Sequence, residues 1–134
     1  MIGSRVVTAA QSLSIRSISA YVGPVDSAPN NQFSMAVFAD SAGRPGALVA
    51  QSATGTLQPN AWNTLTISAV LSPNTAYWLV YNANGSNGAV DNLFYNNDPS
   101  SVGVYSAQPF GSWPTSFGSS NLGGWRYSIY VSAP

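Results

Sequence analysis

Apolar residues along this chain recur at every second position, in runs separated by Gly, Pro, Asn and Ser, and nowhere at the spacing of a helix face. The pattern predicts an all-β fold: a sandwich of two antiparallel sheets with about eight to ten strands and no substantial helix. The first good run is Leu13 to Val22. Its apolar positions change parity near Arg16-Ser17, so a β-bulge is expected there. Phe33, Met35, Val37 and Ala39 alternate with Ser34, Ala36 and Phe38, and Asp40 to Gly46 supplies a turn into a returning strand over Ala47 to Thr56. Asp40 reads as an Asx-turn residue.

Trp62 to Ile67 reads as the next strand and Ala76 to Asn82 as a central strand, because its apolar residues fall on both parities. Trp62 and Trp78 lie within these strands and are expected in the core. Beyond Asn82 the pattern loosens. Short strands are expected at Ala89–Tyr95 and Val102–Tyr105. Ala107 to Gly124 is too rich in Gly, Ser and Pro for a regular strand, yet it carries Phe110, Trp113 and Phe117. The closing strand runs from Trp125 to Val131, with Trp125, Tyr127, Ile129 and Val131 on one face and Arg126, Ser128 and Tyr130 on the other.

At 134 residues the chain predicts one domain, 1–134, since compact domains run to roughly 100–150 residues. Its end directly after a strand suits one module of a longer secreted protein. Charged residues are only 6% of the chain and balance to a net charge of 0, which excludes nucleic acid or an anionic membrane as electrostatic partners. The whole inventory is Arg5, Arg16, Arg44 and Arg126 against Asp26, Asp40, Asp91 and Asp98. Without His, Cys, Lys or Glu, the usual acids, bases and nucleophiles are missing, so a binding or structural role is expected and not an enzyme. No cofactor is required by these residue types. The one metal they suit is an oxygen-liganded ion such as calcium, for which Asp91 and Asp98, close in sequence among Asn side chains, are the candidate ligands. The spacing does not match an EF-hand loop, and Asp98 before Pro99 is well explained as a turn-forming residue.

The segments Phe33–Gly46, Leu57–Leu65 around Trp62-Asn63-Thr64, and Thr75–Asn82 resemble the jelly-roll modules of secreted bacterial proteins, many of them carbohydrate-binding modules. The resemblance implies a two-sheet sandwich and an extracellular or cell-surface location, with the export signal lying outside this sequence. It carries over no binding residues.

Sugar recognition needs aromatic rings that stack on a pyranose face, flanked by amides and charged groups that match its hydroxyls. Trp113, Phe110, Tyr95, Tyr105 and Trp125 are the candidate platforms, with Asn82, Asn84, Asn92, Asn96 and Arg126 as the polar edge. The competing reading places the same aromatics as plugs under long loops. The expected partner is a neutral polysaccharide or glycan. The alternative is a structural or assembly sandwich, of virion-surface, decoration or adhesin type, in which self-association takes the place of sugar binding.

Overall fold

A computed structural model describes residues 1–134 and is all-β, with antiparallel sheets packed face to face. Seven strands have four or more residues: β1 (Ile2–Val7), β2 (Leu13–Val22), β3 (Gln32–Ser41), β4 (Arg44–Gln51), β6 (Ala61–Leu71), β7 (Ala76–Ala83) and β12 (Ile129–Ser132). Five are only two or three residues long: β5 (Gly55–Thr56), β8 (Tyr95–Asn97), β9 (Gly103–Tyr105), β10 (Asn121–Gly123) and β11 (Trp125–Tyr127). The seven-stranded sheet has the order β10-β9-β1-β7-β3-β4, with β5 also on β3. It faces a three-stranded sheet, β12-β2-β6, and β8 and β11 form a separate ribbon.

Alternation explains the layers. Phe33, Met35 and Val37 of β3 and Tyr77, Leu79 and Tyr81 of β7 point inward. They meet Ile15, Ile18, Ala20 and Val22 of β2 with Ile67, Leu71 and Ile129 of its neighbours, forming the main core. The predicted change of parity is present as a register shift between Ile15 and Ser17. β7 is buried on both faces, as its mixed parity requires. So is β3, because Ala36 and Phe38 join Trp78, Val80, Val104 and Phe117 in a second core on the outer side of the large sheet.

Five expectations are corrected. β1 was not anticipated, yet it is central, pairing β7 along its length and β9 at its start. Its Gly3 is forced by close packing: a Cβ there would stand 2.2 Å from the Leu79 carbonyl oxygen. Ala89–Tyr95 is not a strand; it touches β2 by a single bridge, Val22 to Leu93, and the ribbon strand begins only at Tyr95. The returning strand begins at Arg44 and breaks after Gln51. The closing run is split at Ser128 into β11 and β12, although its two faces keep the expected parity.

Trp62 is the remaining correction. It is 50% exposed and not in the core. On β6 the inward residues are Asn63, Leu65, Ile67, Ala69 and Leu71, so Trp62 shares the outward face with Thr64, Thr66 and Ser68. Trp78, in contrast, is fully buried as expected.

Candidate functional site

The outward face of the three-stranded sheet carries a row of aromatic rings. Trp62 is the cross-strand partner of Tyr21. Their rings meet edge to face at 5.6 Å, Tyr21 meets Phe94 at 4.9 Å, and Trp62 meets Tyr130 at 5.0 Å. Such tilted and edge-to-face pairs are the favoured arrangement for quadrupolar rings. Ser19 makes the row possible. Tyr130 pairs with Ser19 in register and Thr64 flanks it on the other side, where Ser19 Oγ and Thr64 Oγ1 lie 2.7 Å apart. This short side chain is 2% exposed under its neighbours, while Trp62, Phe94 and Tyr130 all remain open to solvent.

Three backbone hydrogen bonds fix where the row ends. Tyr21 N–H donates to the Ser128 carbonyl (2.9 Å), Ser128 N–H to the Phe94 carbonyl (2.8 Å) and Phe94 N–H to the Tyr21 carbonyl (3.0 Å). This closed triangle ties the β8–β11 ribbon to β2 and explains why the strand breaks at Ser128. On the ribbon Arg126 is paired with Asn96 and Tyr127 with Tyr95. Asn96 and Arg126 join Trp62, Tyr127 and Tyr130 around a cleft of about 360 Å³. A second cleft of about 520 Å³ lies beside it, lined by Phe94, Tyr95, Tyr127 and Leu93. Burial first, and then the neighbouring Tyr95, hold the Tyr127 phenol above its ordinary value, so it stays a neutral hydroxyl. The site offers apolar ring surface, one guanidinium and one amide.

The residues singled out from the sequence therefore divide. Tyr95, Asn96 and Arg126 are brought together beside the aromatic row. Trp125 and Tyr105 pair at 5.9 Å elsewhere, with the Trp125 ring lying where a Gly123 side chain would be. Trp113 is half-buried against Phe38 at 6.0 Å, its Nε1–H donating to Ser34 Oγ at 3.0 Å, and it packs on the second core. Phe110 is half-buried in the same covering segment, and Asn82 clasps that segment through the carbonyls of Gln108 and Pro109. Asn84 ties Gln32 N–H to the Pro29 carbonyl, and Asn92 donates to Gly88.

The two candidate metal ligands have separate surroundings. Asp98 caps its own turn: the Ser100 hydroxyl and N–H and the Ser101 hydroxyl, then the Arg126 charge, hold its carboxyl below the ordinary carboxylate value. Asp91 is 4% exposed and lies beside Asp26 instead. Missed from the sequence were Trp62, Tyr130, Tyr21 and Phe94. Parity alone locates the first two, because each alternates with residues of the core.

Comparison of the chain with protein-family models, with curated proteins and with solved structures finds no match.

Proposed function

We propose that this domain is a non-catalytic carbohydrate-binding module of a secreted protein, holding a neutral polysaccharide or glycan across Trp62, Tyr130 and Phe94. The observation that carries this reading is the half-exposed indole of Trp62, supported edge-on by two tyrosines on a strand whose other face builds the core. An exposed apolar row of this kind needs a ligand to justify it. Asn96 and Arg126 supply hydrogen bonds to ring hydroxyls at its edge. The absence of His, Lys, Glu and Cys supports binding without turnover.

Affinity gels containing plant, algal, fungal or bacterial polysaccharides test the proposal. Retardation in at least one gel is expected, and unretarded migration in all of them contradicts it. The assembly reading draws on a different place: Val7 and Val70 are exposed, and Val6, Val7, Leu13, Leu71 and Val131 line an apolar cleft of about 210 Å³ at an open side of the sandwich. Light scattering separates the two, since a stable oligomer without sugar affinity favours assembly.

A further inference from the structure

The loop 84–92 and the loop after Gly23 are joined by two carboxylates. Asp91 N–H donates to the Pro24 carbonyl (2.9 Å), and Asp26 N–H returns a bond to Asp91 Oδ1 (2.8 Å). Tyr81 Oη donates to the Asp91 carbonyl at 2.8 Å. Asp26 in turn accepts from Ser86 N–H and the Ser86 hydroxyl on Oδ2 and from Ser27 N–H on Oδ1. One atom is left over. Asp91 Oδ2 is buried and has no hydrogen-bond partner. It faces Gly85, where a Cβ would stand 3.1 Å away, and Asp91 and Gly85 both line a cleft of about 200 Å³ with Asn82, Asn87 and Asn92.

Two neighbouring carboxylates, one almost wholly buried, call for a positive charge, and no side chain pairs with them; the Met1 ammonium, whose residue lines the same cleft, donates to the Ser106 carbonyl at 2.7 Å instead. Arg5 is held by Asp40, Arg44 by Ser120, Arg126 stands in the cleft beside Trp62, and Arg16 is the exposed residue at the bulge of β2. A buried carboxylate without a counter-charge is costly unless it is neutralised or paired. The side chains of Asp91, Asp26, Ser86 and the cleft's Asn82, Asn87 and Asn92 offer carboxylate, hydroxyl and amide oxygens, which is the ligand set of a hard divalent cation.

We propose that Asp91 and Asp26, with the 84–88 loop, form a calcium-type divalent cation site that fastens the two loops together. Asp91 Oδ2 is its central ligand, Gly85 keeps the space open, and Asp98 takes no part. The loop so fastened leads through Leu93 directly into Phe94 and Tyr95, so the cation orders the approach to the aromatic row.

Chelator-treated protein is titrated with Ca²⁺ and, separately, with Tb³⁺, whose emission is sensitised by a nearby tyrosine such as Tyr81. A saturable rise in melting temperature of about 5 °C or more is expected with Ca²⁺. Tb³⁺ emission displaced by Ca²⁺ is expected alongside it. Asp91→Asn keeps the acceptor for Asp26 N–H and should fold, but lose both responses. Gly85→Ala should weaken them at least tenfold in concentration. No response in the wild-type protein to either ion, or an undiminished response in Asp91→Asn, overturns the proposal.

Discussion

Asp40 satisfies three donors with two oxygens: the Arg5 guanidinium at 3.0 Å and the Trp78 indole N–H at 2.9 Å on Oδ1, and Gly43 N–H at 3.0 Å on Oδ2. Burial pushes its carboxyl up, but Gly43, Arg5 and Trp78 together outweigh burial and hold it below the ordinary value of 3.8. Its ionised form is thus favoured by folding, and the stability it brings is present above pH 3.8 and lost as pH falls through the lower folded value. Asp40→Ala leaves the buried Trp78 N–H without a partner and should cost about 2–3 kcal/mol, read by urea denaturation at neutral pH. Asp91 works with the opposite sign. Burial first, and then the charge of Asp26, raise its carboxyl above 3.8, against the Asp26 N–H that lowers it. Folding favours its neutral form, so in metal-free buffer its contribution is greatest below pH 3.8 and declines as pH rises through the folded value. Thermal melts across pH should show that decline in the wild-type protein and not in Asp91→Asn.

At the scale of elements, strands carrying strict alternation were readable and those interrupted by small or polar residues were not. β2, with its bulge, and β7, with its two apolar faces, follow from parity alone. β1 was missed because Gly3, Ser4 and Arg5 break its apolar pattern, and each is there for a tertiary reason. Gly3 lets the strand approach Leu79, Ser4 Oγ accepts from Tyr127 N–H at 3.0 Å, and Arg5 reaches Asp40. None of those partners is near in sequence. Gly3→Ala should therefore destabilise the fold by at least about 2 kcal/mol through overpacking in a central strand, and an unchanged melting temperature would contradict this placement of β1. The segment 107–124 is the reverse case. Its irregularity was legible, but its destination was not: Phe117 N–H donates to the Gly46 carbonyl and Leu48 N–H to the Thr115 carbonyl, and these bonds hold it over the outer face of the large sheet. Trp113→Ala should leave a gap beneath it and cost on the order of 3 kcal/mol, lowering the melting temperature by roughly 10 °C.

The whole molecule has one seven-stranded sheet covered on both sides and one three-stranded sheet covered on a single side. Aromatic residues on the central strands β3 and β7 of the first are buried by packing, whereas Trp62 and Tyr130 on the outward face of the second stay open to solvent. That distinction explains why residue type and loop position alone do not tell which aromatic rings are exposed. Trp113, in a loop, packs on a core, and Trp62, in a strand, faces solvent, because coverage is decided by which face of which sheet a residue lies against. Of the polar candidates only Asn96 and Arg126 border the row, because they sit on a short exposed ribbon, whereas Asn82, Asn84 and Asn92 brace loops.

The two tryptophans give the most direct test. With a polysaccharide that retards the wild-type protein, Trp62→Ala should lose about 1–3 kcal/mol of affinity, by analogy with stacking on planar ligands. Its stability should fall by no more than about 1–2 kcal/mol, the worth of its edge-to-face contacts. Trp113→Ala, titrated below its reduced melting temperature, should bind as the wild-type protein does. Wild-type affinity in Trp62→Ala, or loss of binding in a well-folded Trp113→Ala, would contradict the assignment of the binding face to the outer side of the three-stranded sheet.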